Sequence, residues 1–188
     1  MGCTASNTAT STSNPTHKPG KSFGQHKVLF FPDPALPCRH GNNCRRKNCD
    51  FSHEKTSLVQ FIHFLRCTKK TIDICVFTIT CNDIANEILA LHKQGKKVRV
   101  ITDTQQKNNK GSDIQQFRNA GIPVKEDHTD SHMHHKFAVI DNTIVMTGSF
   151  NWTRAAVLYN RENVVVTDVK PVVQAFRQEF QSLWKQFH

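Results

Sequence analysis

The sequence is short of acid. Its 188 residues carry 25 Lys and Arg against 15 Asp and Glu, a formal net charge of +10 with His neutral. Long apolar runs are missing too. None approaches the roughly 18 to 20 residues of a membrane-spanning helix, so the chain as written is not expected to cross a bilayer. Nor does the start hold the continuous apolar segment of a signal peptide. A disulfide framework is also lacking: the seven Cys are odd in number, and three of them crowd one short segment. That distribution favours a metal site plus reduced buried thiols in a reducing compartment.

Apolar residues make up 37% of the chain, and the shortage is local. The first 27 residues hold nine Ser or Thr, three Lys and no acid, with Met1, Cys3, Ala5, Ala9 and Phe23 as their apolar groups. Such a stretch cannot bury enough surface to offset its ordering entropy, so residues 1 to 27 read as a disordered leader. Residues 28 to 188 are enough for one core. The start Met1-Gly2-Cys3-Thr4-Ala5-Ser6 fits the short myristoylation pattern. A start codon placed ahead of a shortened chain gives it equally well.

The positive charge is clustered. Lys18, Lys21 and Lys27 lie in the leader, and Arg39, Arg45, Arg46 and Lys47 face one acid, Asp50, in residues 38 to 53. More than half of the excess therefore sits at the N-terminal end. A merely solubilising surface would not concentrate it so; a polyanion partner, nucleic acid or an anionic membrane surface, would.

Lys27–Phe31 reads as a strand stopped by Pro32-Asp33-Pro34. Residues 56 to 67 carry Leu58, Phe61, Ile62 and Leu65 at helical spacing. A buried strand follows over 71 to 80, then a helix capped by Asn82 or Asp83 and stopped at Gly95. Residues 97 to 102 form a strand, a helix runs from Ser112 or Asp113 to Gly121, and 122 to 125 form a short strand. Strands at 136 to 141 and 143 to 147 leave room only for a tight turn at Asp141-Asn142. A helix from Trp152, a strand over 163 to 167 and a closing helix from Pro171 complete the order. Val173, Phe176, Phe180, Leu183 and Trp184 form that last helix's apolar stripe. Alternating strands and helices with one antiparallel pair predict an α/β/α sandwich around a mixed β-sheet.

Residues 134 to 162 hold the chemistry. In a strand, positions i and i+2 share a face, so His134 and Lys136 point together while His135 points away. If the next strand folds back, Ser149 and Asn151 come level with them. Donors and cations then surround one small space, as a phosphodiester requires while its phosphorus is attacked. A neutral imidazole can make that attack and become a phosphohistidine.

His134-x-Lys136-x4-Asp141-x6-Gly148-Ser149-x-Asn151 resembles the signature of the phospholipase D superfamily at every fixed position, and Arg161-Glu162-Asn163-Val164 resembles its Glu-Asn segment. The resemblance covers residues 55 to 188 and implies the phospholipase D/nuclease fold. It assigns His134 as nucleophile, Lys136 and Asn151 as holders of the non-bridging oxygens, and Ser149 as a further donor. It also gives Glu162 as acceptor from the far nitrogen of His134, and Asp141 a place that is either catalytic or structural. The family reaction uses two motifs, one His attacking and the other protonating the leaving oxygen. This chain holds one, which implies a homodimer with the motifs face to face. No catalytic metal is then expected, because two lysines neutralise the phosphate.

Cys38, Cys44, Cys49 and His53, spaced x5, x4 and x3, suit a closed tetrahedral site for a structural Zn²⁺. His40 is an alternative fourth ligand. Zinc would staple an insertion that has almost no core of its own. Cys67, Cys75 and Cys81 read as buried structural thiols. Arg154 and Arg161 flank the motif, either as substrate contacts or as surface ion pairs.

One motif, a Cys-rich insertion and a small basic domain resemble the mitochondrial phospholipase D branch, above all its Zucchini-type endonucleases of piRNA biogenesis. Branch members are anchored on the cytosolic face of the mitochondrial outer membrane by an N-terminal helix not seen in residues 1 to 188. Three activities remain in play. The first is an endonuclease that cuts single-stranded RNA to leave 5′-phosphates. The second is a hydrolase that releases phosphatidic acid from cardiolipin, and the third is a non-catalytic RNA-binding module.

Overall fold

A computed structural model describes residues 26–104 and 113–188 of the chain. Residues 1–25, most of the expected leader and the myristoylation pattern, lie outside the described residues, as does Ser112. Seven strands form one mixed sheet: β1 (Lys27–Phe31), β2 (Thr71–Val76), β3 (Lys97–Thr102), β4 (Val124–Glu126), β5 (Lys136–Ile140), β6 (Ile144–Gly148) and β7 (Glu162–Thr167). Their order is β1-β7-β6-β5-β2-β3-β4. Strands β2, β3 and β4 are parallel, because helices α2 (Asn82–Lys93) and α3 (Ile114–Asn119) carry the chain back between them. The β5–β6 hairpin turns on Asp141 and Asn142, both at positive φ (50° and 56°), the conformation of a type I′ turn.

The layers are unequal. Helix α1 (Ser57–Arg66) buries the expected Leu58, Phe61, Ile62 and Leu65 on one face of the sheet. There it joins α2, α3 and α4 (Arg154–Leu158) around a core that includes Ile74, Val100, Ala138 and Met146. On the opposite face α5 (Lys170–Gln186) stands over Phe137, Val139 and Val145. It buries Val173 and Phe180 fully and packs Phe176, Leu183 and Trp184 more loosely. Arg99 pairs with Asp73 at 2.8 and 2.7 Å and lies over the Phe180 and Trp184 rings, joining sheet to helix. Beyond α5 the same face leaves Val28, Phe30 and Val165 exposed on β1 and β7.

Several boundaries differ from the sequence expectation. β2 ends at Val76 rather than 80: the Phe77 amide bonds to the His135 carbonyl, and Ile79 bridges to Trp152. Cys81, not Asn82 or Asp83, is the N-cap of α2. Helix α4 starts two residues late because the Thr153 hydroxyl caps it, accepting from the Ala156 amide. Cys75 and Cys81 are buried as expected, whereas Cys67, at the end of α1, is only half-buried.

The Cys-rich insertion is closed at its base. The buried Asp33 carboxylate accepts from the Ser57 and Leu58 amides at 2.8 Å each, so the residue before the insertion caps the helix after it. The Cys38 amide donates to the Ser52 carbonyl and the Ser52 amide to the Leu36 carbonyl, both at 2.8 Å.

Candidate active site

The site forms where β5 begins and β6 ends. Lys136 stands opposite Val76, and its Nζ lies 3.1 Å from His134 Nδ1 while donating to the His134 carbonyl at 2.7 Å. His135 turns to the other face, against the Phe137 ring and 3.3 Å from Glu179 of α5. Across the hairpin, Gly148 lies so close to β7 that an added Cβ would stand 2.0 Å from the Asn163 carbonyl oxygen. Only glycine permits that approach, and it sets the next residue. The Ser149 hydroxyl donates to Glu162 and accepts from the Asn163 amide at 3.1 Å. Among the described residues Asn151 Oδ1 is buried without a hydrogen-bond partner. An unpaired buried acceptor is costly, and polar groups left in that state belong to a site more often than to a core.

Electrostatics favour a neutral imidazole. Partial burial lowers the His134 pKa below its ordinary value, and the Lys136 ammonium and His132 lower it further. Burial also lowers Lys136, against the pull of the nearby Glu162 carboxylate.

One sequence expectation changes here, and one open alternative closes. Glu162 makes no hydrogen bond to His134 among the described residues. Among the described residues its carboxylate takes protons from Ser149 and from Asn160 Nδ2 at 3.1 Å. Asp141 is not in the pocket at all. It follows the far end of β5, where its carboxylate accepts from the Lys69, Lys70 and Thr71 amides at 2.8, 2.7 and 2.9 Å. Desolvation raises its pKa, but those amide donors outweigh it and the net shift is downward. Asp141 therefore acts as a clasp on the loop entering β2.

Three other residues complete the pocket wall. The Phe77 ring lies 4.8 Å from the His134 ring and 5.3 Å from both His132 and the Lys136 ammonium. His132 Nδ1 lies 3.3 Å from the buried Asp103 carboxylate, which also accepts from the Met133 amide at 3.0 Å. Sequence offered one clue, the position of His132 two residues before His134. Phe77 and Asp103 come from the ends of β2 and β3, and no local spacing announces them.

In the insertion, Cys38, Cys44, Cys49 and His53 bring their ligand atoms within 4.8 Å of one another, and His53 rather than His40 is the fourth. The Cys38 and Cys49 sulfurs stand 3.8 Å apart, too far for a disulfide. That separation is what two thiolates at about 2.3 Å from one tetrahedral ion would show. Desolvation raises the Cys38 pKa, but the His40 backbone and the His53, Cys44 and Cys49 side chains bring it down to about 7. The donor set fits zinc.

With this geometry in view, comparison with known proteins is decisive. The family described as "Cardiolipin synthase, PLD-like domain" matches residues 61–184. The chain belongs to the phospholipase D superfamily. The mitochondrial cardiolipin hydrolase of Chlamydomonas reinhardtii is 48% identical over 167 residues, covering 87% of this chain and 75% of that protein. The protein of the same name from Xenopus tropicalis is 39% identical over 164 residues, with 86% and 77% covered. Among solved structures, Nuc of Salmonella typhimurium, a phospholipase D family member, superposes with a TM-score of 0.69. It is 24% identical, with 87% of this chain and 96% of that chain covered, and supports the fold alone. The family match supports a phosphodiester-cleaving hydrolase.

Proposed function

We propose that the chain is a metal-independent phosphodiesterase that cuts single-stranded RNA between two copies of itself. The observation that carries this reading is the convergence of a neutral imidazole, an ammonium and a serine–glutamate pair at one strand end. His134 Nε2 attacks phosphorus and the P–O3′ bond breaks. The 5′-phosphoryl group passes to the imidazole, and the second copy's equivalent imidazole gives O3′ its proton. Water then attacks the phosphohistidine and releases a 5′-phosphate end. Lys136 from each copy, with Asn151, holds the non-bridging oxygens, so the charge work falls to side chains.

Attack through Nε2 requires a proton on Nδ1, so the Lys136 ammonium must leave its place 3.1 Å from Nδ1 for the substrate phosphate, and an acceptor must take that place. The chain's own Glu162 is engaged with Ser149 and Asn160, so a facing copy is the natural source of that carboxylate. The exposed Val28, Phe30 and Val165, beside β6 on the face α5 leaves open, give such a copy an apolar surface to cover. Mixing His134→Ala chains with wild type should leave the mixed dimers nearly inactive; half of full activity would refute the shared site.

A second reading has its own support: the relatives named above are cardiolipin hydrolases. By that reading the same pocket releases phosphatidic acid from cardiolipin. Either activity would place the chain at a mitochondrial surface, and the RNA reading assigns it to piRNA-type processing. Among the described residues no helix is long and apolar enough to cross a membrane. We assign a structural Zn²⁺ to Cys38, Cys44, Cys49 and His53. One assay separates the two activities: purified protein, with and without EDTA, acting on end-labelled single-stranded RNA and on cardiolipin vesicles. EDTA-resistant RNA cleavage supports the nuclease; phosphatidic acid release with intact RNA overturns it.

A further inference from the structure

One cavity collects cations. About 510 Å³ in volume, it opens between the Cys-rich insertion and the start of α2. Arg39 and Arg46 reach it from the insertion, Arg154 from the start of α4, and Phe51 sits on its wall. Asp83 is the acidic group among the lining residues. Among the described residues none of the three guanidiniums has a carboxylate within 4.0 Å, although other surface cations such as Arg66 and Arg118 do. Like charges drawn from two separate parts of the chain repel unless an anion lies among them.

The cavity adjoins the backbone segment that carries Asn151. Its Thr80 and Cys81 amides donate to the Trp152 carbonyl at 3.0 and 3.1 Å, and Trp152 follows Asn151 directly. Arg154 follows three residues after Asn151, at the start of α4. Phe51, 40% exposed, adds an aromatic face among the cations. Guanidinium with an accessible ring is the pairing that holds single-stranded nucleic acid, phosphate on one and base on the other. A lipid headgroup would use only the first.

We propose that this cavity is a nucleotide subsite, in which Arg39, Arg46 and Arg154 hold a backbone phosphate of single-stranded RNA beside the scissile bond and Phe51 stacks a base. The assignment rests on the RNA reading above and adds residues that the catalytic motif does not contain.

Binding rather than turnover tests it. Full-length His134→Ala chain is titrated against fluorescein-labelled single-stranded RNA over a range of salt concentrations, with Arg39→Gln, Arg154→Gln or Phe51→Ala added. Each lost guanidinium should reduce the log–log salt slope by about 0.7 and the affinity on the order of tenfold. Phe51→Ala should weaken binding on the order of tenfold without changing the slope. Lys93→Gln, at the far end of α2, should change neither. Arg154 lies outside the insertion, so its effect cannot come from loss of the Cys cluster. An unchanged slope in Arg154→Gln with unchanged affinity in Phe51→Ala overturns the proposal. So does loss of binding to cardiolipin vesicles alone, which reassigns the guanidiniums to a lipid phosphate. Wild-type chain tested on the same RNA keeps the two readings apart: absent cleavage with these slope changes intact refutes the nuclease and leaves the subsite standing.

Discussion

The two ends of β5 carry fixed positions of one motif and do opposite work. At the Asp141 end, three backbone amides satisfy the carboxylate and its pKa falls, the mark of a group settled in the fold. At the His134 end, Asn151 Oδ1 has no partner among the described residues, and an ammonium crowds an imidazole whose pKa it helps to depress. One end is satisfied within the chain; the other, by the function proposed above, is completed by substrate and a second copy. A motif can thus join a reactive element to the clasp that aligns its strand. The strand's five residues tie them together, with Ile72 to Val76 of β2 as the partner row.

The strongest way to break this contrast is at the reactive end. His134→Ala should reduce cleavage by at least about 10⁴-fold without loss of folded protein, because the nucleophile is gone and no packing is disturbed. Gly148→Ala comes next. Its Cβ would have to displace the Asn163 carbonyl, so Ser149 and Glu162 should part, and activity should fall on the order of 100-fold with a lowered melting temperature. Cys44→Ser should release zinc and loosen residues 38 to 53, read by metal analysis and proteolysis, while the sheet persists. Unchanged metal content would refute the zinc assignment.

Effects at the clasp end should be smaller and of a different kind. Asp141→Asn should cost about 2 kcal/mol of stability and leave kcat per folded molecule within a few-fold of wild type. Because the folded pKa of Asp141 is depressed, its contribution is present above the ordinary carboxylate range and lost as pH falls through the folded value. The stability gap between variant and wild type should therefore close in acid, as denaturation followed against pH would show. The smallest effect sharpens the reactive end. His132 lowers the His134 pKa, so His132→Gln should move the acid limb of the kcat/KM profile upward. A limb that stays in place would remove His132 from the pocket's electrostatics.

Much of this was legible in the sequence, for physical reasons. Period-two alternation fixed which way His134, His135 and Lys136 face, and the absence of any spacer at Asp141-Asn142 implied the hairpin that returns Ser149. The spacing of three Cys and one His likewise anticipated their convergence. What could not be read was the pairing of distant ends. Phe77 reaches His134, and Asp103 reaches His132, only because β2 pairs with β5 on one side and with β3 on the other. Arg39 meets Arg154 only because Asp33 caps α1 and folds the insertion back over α2. The partner of Glu162 was misjudged within one chain because the motif does not say that Ser149 stands nearer.

The most direct test of the reactive end is to catch the bond it makes. RNA labelled at its 3′ end would be mixed with excess wild-type or His134→Ala chain, quenched in neutral SDS during turnover, and resolved from free RNA. The account requires label carried by the wild-type protein, through a link at His134 that is lost in mild acid, and none on the variant. Cleavage at the wild-type rate by His134→Ala would contradict it.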